Sequence, residues 1–359
     1  MDLGARRRRT LFRECFRHLP EVKRKRIAPT PANDMRLHRL ERPEPWELEV
    51  LDAIADMPET AVNHYPDYAA FYRRLADFVG IGPDQIVVGQ GIEEFIRTLV
   101  LLCCEPGEEF AYTWPTCAMF DVYAEVFGAK PCRIVTDPAR PLRAEDIKLS
   151  AATRLLILPN PGQPVDECFS IEELRAIAAL CESIGAVLAI DEAYHWFGAP
   201  SALALTMEFD NVVVLRTFSK AFGAAGLRVG FAIGSQQIVR TLDAIRLSGE
   251  IGGPSIHAAT VLMDRWESHI LPGIARVVAG RDWLRQKLES EGFPARGRWA
   301  NHVLANLCDA RVADATATRL KARGVHVRVN EPPLHRHLLI TCGSVDLMRR
   351  FYREFRAAL

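Results

Sequence analysis

The chain has 359 residues, 45 lysines and arginines balanced by 45 aspartates and glutamates, and a 49% share of hydrophobic residues. That length asks for one large or two medium domains, and the apolar share excludes wholesale disorder. No apolar run is long enough for a transmembrane helix, and the balanced charge argues against nucleic acid as a partner.

The balance hides an asymmetry. Residues 1–26 carry ten Lys/Arg and three acids, leaving 35 basic and 42 acidic residues in the rest, a net of −7. Residues 1–45 read as a basic N-terminal arm, a solvated leader rather than an anion contact. No apolar stretch follows its arginines, as a secretory signal requires. The nine cysteines are odd in number, contain no C-x-x-C pair and lie partly in apolar runs such as Leu101-Leu102-Cys103-Cys104. They read as reduced thiols packed as small hydrophobes, not as a disulfide frame or a metal site. The expected compartment is the cytoplasm.

From about residue 66 to 245, strand-like and helix-like segments alternate. Asp67 to Val79 predicts a helix and Ile86 to Val88 a strand, and Gly89-Gln90-Gly91 leads into a helix over Ile92 to Cys104. Phe110–Thr113, Cys132–Val135, Leu155–Leu158, Val187–Ile190 and Val212–Thr217 predict short buried strands. Thr116–Phe127 and Ser170–Ser183 predict helices between them, the second opened by a Ser170/Glu173 capping box. This alternation predicts an α/β domain over 46–245 with a mostly parallel sheet. Its chemistry belongs at the carboxyl ends of the strands. From about residue 246 come two long helical patterns, Pro254 to Trp266 and Ile274 to Glu291. Strands at Val303–Asn306, Val325–Val329 and Leu338–Thr341 follow, then a closing helix from Val345. Residues 246–359 thus read as a smaller α+β domain.

Two strand ends concentrate chemistry. Val187–Ile190 runs into Asp191-Glu192-Ala193-Tyr194, and Val212–Leu215 runs into Arg216-Thr217-Phe218-Ser219-Lys220, with Arg228 eight residues on. A lysine at an apolar sheet edge is costly unless paired or reacted. Once desolvated, its pKa falls and it becomes a Schiff-base nucleophile. The arginine, hydroxyls and turn amides suit a phosphate, and a buried carboxylate can keep a pyridine nitrogen protonated. Together these needs describe pyridoxal 5′-phosphate.

The segment Ser219-Lys220-Ala221-Phe222-Gly223-Ala224-Ala225-Gly226-Leu227-Arg228-Val229-Gly230, with Asp191-Glu192-Ala193-Tyr194, resembles the fold-type I pyridoxal-phosphate enzymes, closest to their histidinol-phosphate aminotransferase-like branch. The resemblance runs from about Arg36 to the C-terminus. His64-Tyr65-Pro66-Asp67, Gly89-Gln90-Gly91-Ile92-Glu93-Glu94, Glu105-Pro106-Gly107-Glu108, Pro115-Thr116 and Asn160-Pro161 stand in the expected order. It implies that Lys220 carries the cofactor and moves the substrate proton, that Asp191 holds the pyridine nitrogen, and that Tyr194 bonds the ring O3′. It makes Thr217, Ser219 and Arg228, with the amides of Ile92 and Glu93 after Gly91, the phosphate site. Tyr65 then reaches the phosphate of a neighbouring subunit, which implies a homodimer.

Three positions depart from the family pattern. Asn-Pro-Asn-Asn-Pro-Thr-Gly becomes Asn160-Pro161-Gly162-Gln163-Pro164-Val165-Asp166, so Gln163 stands where an asparagine donates to O3′. Cys117 replaces the aromatic residue that stacks on the cofactor ring. It implies either a widened site or a thiol near the cofactor, or simple packing with Trp114 or Phe120 over the ring. In the C-terminal strand, Leu339 replaces the arginine that binds the substrate α-carboxylate. Arg328 or Arg336 can substitute, or the substrate lacks a carboxylate there. His195 beside Tyr194 is a candidate acid or base, with packing as its alternative.

The intact cofactor set and altered substrate set point to an aminotransferase for a phosphorylated, phosphonate or otherwise non-standard amine or amino acid. The alternative is a decarboxylase, lyase, oxidase or carbon–carbon bond-forming enzyme on the same scaffold. A binding or regulatory subunit of the same fold is disfavoured by the retention of Lys220, Asp191 and Arg228.

Overall fold

The computed structural model describes residues 30–249 and 251–359. The basic run of residues 1–26 lies outside them. Seven strands form the main sheet: β1 (Ile86–Gly89), β2 (Glu109–Trp114), β3 (Lys130–Val135), β4 (Thr153–Pro159), β5 (Val187–Asp191), β6 (Val212–Thr217) and β7 (Gly230–Gly234). Their order is β1-β7-β6-β5-β4-β2-β3. All neighbours are parallel except those of β7, which runs antiparallel to β1 and β6. The central strands are near-continuous hydrophobic runs up to their carboxyl ends because both faces are covered, and β6 and β7 are buried at every position.

Local chemistry sets the helix limits. The Asp67 carboxylate accepts the Ala70 N–H at 3.2 Å, and Gly80 ends that helix at φ +82°. The Ser170 hydroxyl and Glu173 carboxylate exchange bonds with each other's N–H at 3.2 and 2.9 Å, so the capping box forms as expected. Strand β7 was not expected. Its glycine at each end reads as a turn, yet a Cβ on Gly230 would lie 2.6 Å from the Gly91 Cα. Glycine there lets the turn after β1 approach β7.

Beyond residue 250, helices Gly253–Asp264 and Leu271–Ser290 precede a four-stranded antiparallel sheet. Its order is 328–329, 337–341, 302–306, 295–296. Period-two alternation splits its side chains between two cores. Val303, Ala305, Leu338 and Ile340 pack with Leu284, Phe351 and Phe355, whereas Leu304 and Leu339 join the core of the main sheet. The stretch read as an arm needs a correction. Met35–Arg36 pairs in parallel with Val325–His326, and Leu37 and Leu40 are buried, so the chain from about residue 35 is part of the fold. Among the described residues, no helix is long and apolar enough to cross a membrane.

Candidate active site

The parallel strands deliver their polar residues to one edge. Asp191 is the last residue of β5, and its carboxylate accepts the Ala193 N–H at 3.0 Å. Burial pushes that carboxyl up to about 6, against the opposing pull of the Ala193 N–H and of Lys220. Lys220 follows β6. Burial pushes its ammonium down to about 8, while Glu41, Cys117 and Asp191 pull it back up. An amine shifted this far is a usable nucleophile near neutral pH. Its Nζ lies 5.6 Å from the centre of the Tyr194 ring. Burial first, then Asp191, raises the Tyr194 phenol, so it stays protonated and able to donate.

Behind the lysine is a cradle built from glycine and hydroxyl groups. Gly91 takes φ +80° at the start of helix Ile92–Cys103, whose first N–H groups have no partner within the helix. The Arg228 guanidinium donates to the Gln90 and Ala225 carbonyls at 3.4 and 3.3 Å. A Cβ on Gly91 would lie 2.8 Å from Arg228 Nη2, so only glycine leaves this approach open. The Thr217 hydroxyl donates to the Val229 carbonyl at 3.1 Å and accepts the Ser219 N–H at 3.1 Å, with the Ser219 hydroxyl 2.9 Å away.

Other expected residues divide. Cys117 opens into the same cleft; desolvation raises its thiol, with Glu93 and Asp191 adding to the shift and Lys220 opposing it. Phe120 is fully buried against Phe110 and Tyr112, and Trp114 lies under the Arg133 guanidinium. Gln163 lines a small cavity with Thr113, Pro115 and Thr136, and its buried Oε1 has no hydrogen-bond partner among the described residues. His195 takes the packing alternative rather than the acid or base one. Its Nδ1 bonds the Glu192 carbonyl at 3.0 Å, its ring leans on Trp196, and burial holds it neutral at about 3. Tyr65 is 96% exposed.

The two substitute arginines part company. Arg336 is exposed and acts on Asp309, away from the cleft. Arg328 pairs directly with Leu339 across the antiparallel ladder, so the two side chains share one face of the sheet. Burial lowers the Arg328 pKa, while Tyr194 and Cys117 pull it the other way. Its guanidinium hydrogen-bonds Asn330 Oδ1 at 3.2 and 3.3 Å, and among the described residues it forms no ion pair.

Two further groups escaped sequence reasoning. Glu41 exerts the largest charge effect on Lys220, lines a small cavity with it, and is held by Arg36 at 2.9 Å. It fell within the stretch read as an arm. His302 is fully buried, donates from Nε2 to the Pro164 carbonyl at 3.1 Å, and meets the Tyr194 ring edge-on at 6.1 Å. No local motif marks it.

These residues fit pyridoxal 5′-phosphate. The Gly91–Arg228 cradle suits its phosphate, Asp191 its ring nitrogen, Tyr194 its ring hydroxyl and Lys220 its aldehyde. Comparison with known proteins agrees. The family described as aminotransferase class I and II matches residues 33–355. A histidinol-phosphate aminotransferase of Geobacter sp. is 31% identical over 90% of this chain and 92% of its own length. An aromatic amino acid aminotransferase of Rhodococcus opacus is 33% identical over 71% of this chain and 72% of its own. The solved histidinol-phosphate aminotransferase from Sinorhizobium meliloti, in complex with pyridoxal-5′-phosphate, has a TM-score of 0.80 at 22% identity. That match covers 90% of this chain and 91% of the other. The chain belongs to the class I and II aminotransferases, enzymes that work with pyridoxal 5′-phosphate.

Proposed function

We propose that this aminotransferase acts on an amine or amino acid whose anionic group, a phosphate or carboxylate, is held by Arg328. The observation that carries this reading is the ladder register. Arg328 stands opposite Leu339, where the family pattern has its carboxylate-binding arginine, and its charge is felt by Tyr194 and Cys117 at the cleft. A half-buried guanidinium with no acidic partner among the described residues is an anion site in waiting. The relatives named for histidinol phosphate support a phosphorylated substrate.

Pyridoxal 5′-phosphate, when bound, supplies the aldehyde that takes the substrate nitrogen and the sink for the electrons released. The chain does the rest. Lys220 holds the cofactor and, once freed, moves the proton at the substrate carbon. Asp191 keeps the ring nitrogen protonated, and the Tyr194 hydroxyl orients the ring oxygen. We also propose a homodimer. Leu48, Val62, Tyr65 and Leu247 are 75%, 68%, 96% and 61% exposed, too much apolar surface to leave in water on neighbouring segments. In the dimer, Tyr65 reaches the partner's site.

Mixing the loaded enzyme with glutamate tests the reading. Amino transfer converts the bound cofactor to its amine form and releases one keto acid per site. A second reading, other pyridoxal-phosphate chemistry, rests on Cys117 and the lack of a stacking aromatic there. Carbon dioxide release without amination of the cofactor would favour it.

A further inference from the structure

Asp166 ends the altered Asn160–Asp166 segment, at the position where the family pattern has glycine. It adopts φ +62°, a left-handed conformation that glycine takes freely and aspartate takes at some cost. The loop around it is closed by the Asp166 N–H to the Gly162 carbonyl at 3.0 Å and the Gly162 N–H to the Glu167 carbonyl at 2.7 Å. The carboxylate is 4% exposed, and it leaves its own loop to cap three consecutive amides of a segment 132 to 134 residues away. It accepts from Ala300 at 2.8 Å, from Trp299 at 3.1 and 3.2 Å, and from Arg298. A left-handed residue whose buried carboxylate satisfies three amides with no other partner among the described residues is held for what it joins.

What it joins are the two sheets. Asp166 follows β4 of the main sheet, and residues 298–300 lie between strands 295–296 and 302–306 of the smaller one. The joint is reinforced on both sides. Arg281, 3% exposed, donates to the Ala300 carbonyl at 2.9 Å, and His302 donates to the Pro164 carbonyl at 3.1 Å. From His302 the strand continues to Leu304, which pairs with Leu339, which pairs with Arg328. A short path of backbone and strand pairing therefore runs from the amides that Asp166 holds to Arg328.

We propose that Asp166 is a positioning residue, a latch that fixes the smaller sheet against the main one and so sets where Arg328 stands relative to Lys220. The inference rests on the reading of Arg328 as the substrate-anion group. Its consequence is specific: the latch acts on the substrate's anionic end and not on the cofactor, whose contacts come from the strand ends of the main sheet and the turn after β1.

The test uses Asp166→Gly, which suits the backbone and is the residue of the family pattern, and Asp166→Asn, which keeps a carbonyl acceptor. Amide hydrogen exchange is measured at Arg298, Trp299 and Ala300 in the apoprotein, together with kcat and KM on the loaded enzyme. We expect Asp166→Gly to speed exchange at these amides at least tenfold and to raise KM for an anionic donor such as glutamate about tenfold. Cofactor affinity and helix exchange should stay unchanged, and Asp166→Asn should recover part of both effects. Unchanged exchange in Asp166→Gly would overturn the latch. Faster exchange with KM unchanged would overturn its link to substrate, if Arg328→Ala raises KM in the same assay. If Arg328→Ala leaves KM unchanged too, the Arg328 reading fails, and the proposed route from latch to substrate fails with it. Loss of cofactor affinity in Asp166→Gly would also overturn the proposal, by placing the effect on the cofactor side.

Discussion

Replacing Arg328 tests the substrate site at its most exposed assumption. Arg328→Leu removes a half-buried guanidinium whose hydrogen-bond partner is the neutral Asn330 side chain. An anionic substrate would then leave its charge unpaired in a desolvated cleft. Breaking a buried charge pair costs about 2–5 kcal/mol, and partial burial places this one at about 2–3. At about 1.4 kcal/mol per factor of ten, kcat/KM for an anionic donor should fall roughly 30- to 150-fold. The double variant Arg328→Leu with Leu339→Arg moves the charge across one rung of the ladder, to the place the family pattern gives it, and should recover part of that loss. Steady-state kinetics with glutamate and with a neutral primary amine separate the causes. The neutral amine should be unaffected. A loss below about threefold with glutamate, or an equal loss with both, would refute the reasoning.

Burial lowers Lys220 to about 8, so below that pH its amine is protonated and cannot attack an aldehyde. Cofactor capture by the apoprotein should slow about tenfold per unit below pH 8 and level off above it; a midpoint near 10.5 in stopped-flow absorbance would contradict this. Gly230→Ala places a Cβ 2.6 Å from the Gly91 Cα. The overpacking costs about 1–3 kcal/mol and should weaken cofactor retention at least fivefold, read by dialysis. Glu192→Gln breaks the buried pair with Arg216, 2.9 Å apart, at about 3–5 kcal/mol and roughly 5 °C in Tm. An unchanged calorimetric Tm would show that the pair is dispensable. Val62→Asp, at a position 68% exposed, should shift sedimentation from dimer toward monomer. A persistent dimer would place the interface elsewhere.

The cofactor half of the site was legible because its signals are local. Asp191 ends one apolar strand and Lys220 follows another, and the Gly89-Gln90-Gly91 turn precedes a helix, so short-range sequence places them at one sheet edge. The substrate half depends on long-range register. Arg328 and Arg336 look equivalent in sequence, and only the pairing of Arg328 with Leu339 separates them. His195 carries the residue type of a catalyst, yet its orientation is set by the Glu192 carbonyl and Trp196. Glu41 was hidden because a basic run upstream masked the start of the fold, which the pairing of Met35–Arg36 with Val325–His326 marks. Asp166 stood in plain view as a departure from pattern, but its partners lie 132 to 134 residues away.

The most direct test of the account is a single-turnover experiment on the loaded enzyme with glutamate, following the cofactor spectrum and the released keto acid together. The account predicts one keto acid per site, coincident with amination of the cofactor, a far slower reaction in Arg328→Leu, and none in Lys220→Ala. Turnover in Lys220→Ala at the native rate, or carbon dioxide release with the cofactor unaminated, would contradict it.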